Sequence, residues 1–167
     1  MTDAADRERL TKWVREYGDG LFRYLQARIR DEHVAADLVQ EVFFRAWRKR
    51  SLYMDRSQDR AYLYAIADRL ACDHLRRPHR IVPMEGVEPV ADGDPSMTLS
   101  QTESAAVVRD ALARLSDAQQ RTLFLRYFGG LTFQQIADTL DCPLGTVLSH
   151  CRRGLEQLRG SLAGELA

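Results

Sequence analysis

The sequence is poor in the features that announce a familiar chemistry. Its three cysteines, Cys72, Cys142 and Cys151, show no C-x-x-C spacing, and an odd number argues against a disulfide framework. Cys142, His150 and Cys151 lie close enough in sequence to be weighed as metal ligands. Cys151 belongs to the inward face of its helix, however, so no metal site is expected. There is no glycine-rich phosphate loop and no persuasive nucleophile–base pairing, so no catalytic residue, no cofactor and no enzymatic activity are expected. Proline and glycine together supply 15 of 167 residues, too few for a low-complexity chain. No apolar run approaches the ~18 residues of a membrane span. The N-terminus lacks the apolar core of a signal peptide. The expectation is a cytoplasmic protein without membrane insertion. Net charge is missing as well: 24 Lys and Arg balance 24 Asp and Glu. Taken alone, that balance speaks against a nucleic-acid binder, whose usual footprint is basic.

The average conceals a segregation. Residues 1–80 hold 17 Lys/Arg and 13 Asp/Glu, residues 81–104 hold none and 5, and residues 105–167 hold 7 and 6. The middle segment also carries three of the five prolines and has no apolar period. This composition predicts an extended acidic linker, 81–104, between two folded parts, 1–80 and 105–167.

Both folded parts read as helical. From Asp31, a plausible N-cap, Val34, Leu38, Val42, Phe43 and Trp47 line one face of a long helix. A second long helix runs from about Ser57 to Arg77 on Leu63, Ile66, Ala67 and Leu70. Two shorter helices are expected ahead of it all, one before Tyr17 and one between Gly20 and Arg30. Beyond the linker, Val108, Leu112 and Leu115 mark another. Ser116 with Gln119 and Thr132 with Gln135 form capping-box patterns, with a stop at Gly129-Gly130 between them. The fold class expected is all-α, in two small domains.

The segment from Leu131 to Gly160 has the grammar of a helix-turn-helix. A short helix, Phe133 to Leu140, meets the turn Asp141-Cys142, and a second helix opens near Pro143. Ala137 is small where the two helices must cross. Leu144, Val147, Cys151, Leu155 and Leu158 are expected to face inward, leaving Thr146, Ser149, His150, Arg152 and Arg153 outside. In this motif the second helix enters the major groove. Thr146 and Ser149 suit bases or phosphates, and Arg152 and Arg153 suit phosphate.

On the long helix from Asp31, the polar face opposite the apolar stripe carries Asp37, Gln40, Glu41, Phe44 and Arg48. Phe44 there suits an apolar anchor in a protein-docking face. The next helix puts Tyr62, Arg69, Asp73 and Arg76 on one face. The loop from Leu52 to Arg60 carries Tyr53 and Met54 among polar residues. Aromatics interleaved with cations suit single-stranded nucleic acid, because bases stack on rings while Arg meets phosphate.

The runs AADLVQEVFFRAWRKR and RAYLYAIADRLACDHLRR resemble the second conserved region of bacterial extracytoplasmic-function (ECF) sigma factors, of the sigma-70 family. The run ARLSDAQQRTLFLRYFGGLTFQQIADTLDCPLGTVLSHCRRGLEQLR resembles their fourth region, and the two stand in the family's order. The resemblance implies a subunit that binds core RNA polymerase, recognises the −10 and −35 promoter elements and helps open the duplex. It implies docking of Asp37, Gln40, Glu41, Phe44 and Arg48 on the β′ clamp helices, with the β flap as a second polymerase contact. It places Tyr53, Met54, Arg56, Arg60, Tyr62, Arg69, Arg76 and Arg77 at the −10 element. It places Thr132, Thr146, Leu148, Ser149, His150, Arg152 and Arg153 at the −35 element. Promoter DNA and an anti-sigma factor are the further partners it implies, and the linker is implied to enter the polymerase channels. Two alternatives stand beside this reading: a sigma mimic that sequesters an anti-sigma factor, and a stand-alone helix-turn-helix regulator. The family carries a basic residue where Leu148 stands and arginine where His150 stands, so this recognition helix is less cationic. Tyr62 replaces the usual Trp and Arg69 a frequent Asn. Asp141 occupies a turn position where glycine is common, and Asp tolerates positive φ better than most residues.

Overall fold

The computed structural model describes residues 3–51, 56–78 and 99–165. Tyr53 and Met54 lie outside them, as does most of the segment read as linker.

The first half packs three helices, α1 (Asp3–Ile29), α2 (Glu32–Arg48) and α3 (Asp59–Arg76), with a single 3-10 turn at Arg56–Gln58 ahead of α3. The two short helices expected before Arg30 are one continuous α1. A glycine inside a helix costs about 1 kcal/mol relative to alanine, and α1 carries two, Gly18 and Gly20. The structure supplies the reason for Gly20: a Cβ there would stand 2.5 Å from the Tyr64 hydroxyl oxygen. Glycine at this position lets α3 approach α1 closely. Arg30 then adopts φ +63, turning the chain so that Asp31, extended at φ −133, can cap α2 by accepting from the Val34 amide at 3.0 Å. Trp13, Leu21, Tyr24, Leu25, Val42, Phe43, Leu63 and Leu70 are buried between the three helices. Full burial of one such side chain stabilises by about 1.5–3 kcal/mol.

The second half comprises α4 (Leu99–Ala113), α5 (Asp117–Tyr127), α6 (Phe133–Leu140) and α7 (Leu144–Glu165). Helix α4 begins at Leu99, inside the stretch that composition assigned to the linker. Val108, expected on its buried side, is 41% exposed, and Ala111 is buried instead. Both capping boxes are present, Ser116 with Gln119 and Thr132 with Gln135. Gly130, at φ +63, turns the chain between α5 and α6. Asp141 caps α6 in the left-handed conformation, φ 50 and ψ 53, as its place in the turn requires. Ile136, Ala137, Val147 and Cys151 are buried where α6 crosses α7.

Leu144 and Leu155 depart from expectation: they are 41% and 37% exposed, while Leu158 is packed against the core. All three lie at helical spacing, but the buried stripe of α7 is centred on Val147, Cys151 and Gly154, and the first two fall at its edge. The two halves are in contact, α1 with α5 and α3 with α6, and their buried residues form one contiguous cluster. Among the described residues, no helix is long and apolar enough to cross a membrane.

Candidate protein-docking and nucleic-acid interfaces

The α2 face is exposed where the sequence placed it. Asp37, Gln40, Phe44 and Arg48 are exposed and Glu41 is half-buried. Phe44 is 54% exposed, with the Arg48 guanidinium 5.7 Å from its ring centre. Glu41 holds Arg45 at 2.6 Å along the same helix. This large apolar ring, ringed by charge, lies opposite the side of α2 that buries Ala35, Val42, Phe43 and Ala46, outside that packing. It suits a partner's apolar pocket.

Helix α3 presents Arg69, Arg76 and Arg77 to solvent. Arg76 stands 3.9 Å from Asp73, a loose exposed pair worth little. Tyr62 is half-buried, its ring 6.3 Å from that of Trp13, and burial pushes its phenol pKa upward against the opposing pull of Arg9. Arg56 opens the 3-10 turn, and its side chain lies outside the described set. Arg60, at the start of α3, reaches across to the second half: its Nη1 donates to the Gly130 carbonyl at 3.5 Å.

On α7, Leu148, Arg152 and Arg153 are exposed, and Thr146, Ser149 and His150 are half-buried. Val147 and Cys151 anchor the helix from beneath, at 0% and 7% exposure. Thr132 caps α6 by accepting from the Gln135 amide at 3.2 Å. The turn is closed by the Cys142 amide donating to the Ala137 carbonyl at 3.1 Å, and the Pro143 carbonyl accepts the first hydrogen bond of α7 from Thr146. These local bonds fix the angle at which α7 leaves α6. The three candidate surfaces are therefore on separate elements, α2, α3 and α7, and are not gathered into one cleft. Among the described residues, no cluster of His, Cys, Asp and Glu could hold a metal ion.

One polar cluster escaped sequence reasoning. Asp68 of α3, 3% exposed, accepts from the Tyr24 hydroxyl at 2.7 Å and from Arg121 Nε at 2.9 Å and Nη2 at 2.5 Å. Beside it, the buried Arg28 of α1 donates to Asp117 at 2.7 Å and to Gln120 at 3.4 Å. Each half thus supplies a cation and an anion to the other. Burial, with the Asp68 charge and hydrogen bond, holds the Tyr24 pKa well above its ordinary value, and the hydrogen bond with Asp68 raises that of Arg121. Next to this cluster, the Tyr64 hydroxyl donates to the Phe128 carbonyl at 3.2 Å, and burial pushes its pKa up to about 12. A charged residue at position 68, amid the apolar Leu63, Ala67, Leu70 and Ala71, was the available signal. A groove of about 910 Å³ opens alongside, between α1, α4 and α5, lined by Arg23, Arg28, Arg30 and Arg109 and by Leu75, Leu112 and Phe128.

Comparison with known proteins agrees with this arrangement. Residues 13–81 match the model of sigma-70 region 2, and residues 111–160 match that of sigma-70 region 4. The ECF RNA polymerase sigma factor SigE of Mycolicibacterium smegmatis is 30% identical over 167 residues, covering 95% of this chain and 64% of that protein. The chain thus spans just under two thirds of that relative. The RNA polymerase sigma factor YlaC of Bacillus subtilis is 27% identical, with 93% of both chains covered. Among solved structures, CnrH in complex with the cytosolic domain of CnrY superposes with a TM-score of 0.71 at 17% identity, over 95% of this chain and 90% of that one. The sigma factor RpoE in complex with the anti-sigma factor NepR, from Bartonella quintana, gives the same TM-score, 0.71, at 21% identity, over 92% and 96%. These structural likenesses establish the fold.

Proposed function

Since the chain belongs to the ECF group of the sigma-70 family, we propose that it serves in the cytoplasm as a promoter-specificity subunit of RNA polymerase, a binding protein and not a catalyst. Residues 13–81 act as its polymerase-docking and −10 module and residues 111–160 as its −35 module. The observation that carries this is the exposed Phe44 on α2, presented by the same chain as a capped helix-turn-helix at α6–α7. A stand-alone duplex-binding regulator has no use for the α2 face.

In this reading Asp37, Gln40, Glu41, Phe44 and Arg48 engage the β′ clamp helices, the second module meets the β flap, and Arg60, Arg69, Arg76 and Arg77 hold the −10 backbone. Unstacking a base costs a few kcal/mol, which stacking and hydrogen bonds to the extruded base can offset. Binding energy thus substitutes for nucleotide hydrolysis. The two elements lie about 25 base pairs apart by their names, or roughly 85 Å at about 3.4 Å per pair. Modules in contact along α1–α5 and α3–α6 cannot reach both. Engagement therefore requires them to part.

An anti-sigma factor is a further partner in this proposal. The groove between α1, α4 and α5, lined by Leu75, Leu112 and Phe128 and by four arginines with Asp110 and Asp117, suits a segment with an apolar stripe flanked by charge. Runoff transcription with core polymerase on candidate promoters tests the function. Initiation that depends on the protein supports it. Neither joining core nor directing initiation refutes it and leaves the sequestering mimic.

A further inference from the structure

The outer surface of α7 carries an apolar feature that its packing does not require. Val147 and Cys151 satisfy the core, at 0% and 7% exposure, yet Leu148 between them is 45% exposed and Leu144, one turn earlier, 41%. The two leucines are about 6 Å apart along the helix axis and share one flank. Around them the exposed or half-exposed residues are polar: Thr146, Ser149, His150, Arg152 and Arg153. Arg152 continues the leucine flank one turn on. Its side chain is 67% exposed, and it faces Glu156 at a loose 3.7 Å, leaving its charge open to a phosphate.

We propose that Leu148 is a specificity-determining residue that selects a thymine in the −35 element by packing on its C5-methyl group. This rests on the reading of α7 as the −35 helix and deepens it. The chemistry is selective in both directions. The thymine methyl is the apolar group that base pairs present in the major groove. Against it, Leu148 buries surface on both partners. Against guanine N7 and O6, or the amino groups of adenine and cytosine, the same leucine strips water from a polar edge and returns no hydrogen bond. Position matters as well: Leu148 lies in the second turn of the helix that follows the helix-turn-helix corner, the stretch of the motif that meets base edges. Arg152 on neighbouring phosphate would hold that register without reading sequence.

The test uses the full chain assembled with core polymerase. Promoters randomised across the −35 region are selected for initiation, and each thymine of the enriched element is then replaced by deoxyuridine, which removes only the methyl. At one position the replacement lowers initiation by roughly four-fold, the equivalent of one buried methyl group. Leu148→Ala initiates at the same level on both templates, and Leu148→Arg selects guanine there. Circular dichroism checks that both variants keep their helix content. A deoxyuridine penalty that persists in Leu148→Ala, or an element with no methyl-sensitive thymine, overturns the role of Leu148 and leaves α7 as the reader. Absence of any enriched −35 sequence, with −10 dependence intact, overturns the reading of α7 itself. A loss in Leu148→Ala seen in core affinity and equal on all templates assigns this flank to a protein contact and refutes the proposal.

Discussion

Arg121 is the residue through which the two halves can be uncoupled with least damage to either. It makes two parallel hydrogen bonds to Asp68, whose carboxylate is 3% exposed and is reached from its own half by the Tyr24 hydroxyl at 2.7 Å. Arg121→Ala leaves that buried charge with one donor in place of three. Removing one partner of a buried ion pair costs about 3–5 kcal/mol. The Arg121 side chain is 24% exposed, so water can take up part of its role, and we expect about 2–3 kcal/mol. The pair spans the interface, so the loss falls on the contact between the halves and shifts their separation equilibrium by roughly 30- to 150-fold.

Two measurements read that shift. A compact chain of this length has a radius of gyration of about 15 Å, and small-angle scattering of the variant should exceed it. Independently, Tyr64, whose hydroxyl meets the Phe128 carbonyl across the interface, titrates at about 12 when closed. On separation its phenol meets water, and its absorbance transition moves down toward 10. The double variant Asp68→Ala/Arg121→Ala, with no unpaired carboxylate left buried, should regain part of the contact. Wild-type scattering and an unchanged Tyr64 transition in Arg121→Ala would falsify the assignment of this pair as the clasp.

Phe44→Ala should weaken binding to core polymerase by 10-fold or more, since a central aromatic anchor is worth about 2 kcal/mol, with an unchanged melting curve because Phe44 is 54% exposed. Equal affinity in a core-binding titration removes it from the docking face. Thr132→Ala should lower stability by about 1 kcal/mol through loss of the cap on α6, read from the denaturant midpoint. No change would mean the capping box is dispensable. Tyr24 and Tyr64 both have raised folded-state pKa values, so the neutral forms favour the folded chain. Their contribution is complete below pH ~10, the ordinary tyrosine value, and drains away as pH rises toward and beyond 12. A melting temperature flat from pH 9 to about 12 would contradict this.

What was legible in the sequence was local. The cap at Asp31 and the boxes at Ser116 and Thr132 each join residues only three apart and returned as expected. The positive φ of Asp141 follows from a turn that two helices force on it. The continuity of α1 through Gly20 was hidden because its reason, the Tyr64 hydroxyl, is 44 residues away in sequence. Leu144 and Leu155 were assigned inward because an apolar residue at helical spacing does not say which residues centre the stripe, and here Gly154 takes a buried place beside Leu155. The exposed faces of α2, α3 and α7 were legible for a related reason: each is one face of one helix, and a face is a periodic object. The Asp68 cluster is not, since it joins residues from α1, α3 and α5.

That cluster is itself neutral, so the exposed arginines of α3 and α7 are balanced elsewhere in the chain, in part by the five Asp and Glu of residues 81–104. Arg28 and Asp68 are buried and are neutralised across the interface by the exposed Asp117 and the part-exposed Arg121, whereas Arg69, Arg76, Arg77, Arg152 and Arg153 remain exposed. Salt acts differently on the two sets. Screening at physiological ionic strength, over about 8 Å, weakens exposed contacts to phosphate but reaches a buried pair poorly. Raising salt should therefore abolish DNA binding well before it parts the two halves. Ionic strength alone is a poor opener of this interface. A partner that opens it must bind the separated modules more tightly than the closed pair, by at least the stability of the contact. On the function proposed above, core polymerase on the α2 face and duplex DNA drawing α7 roughly 85 Å along its axis together supply that binding energy. On the same proposal the free chain, with Leu148 and His150 among the outward residues of α7, does not.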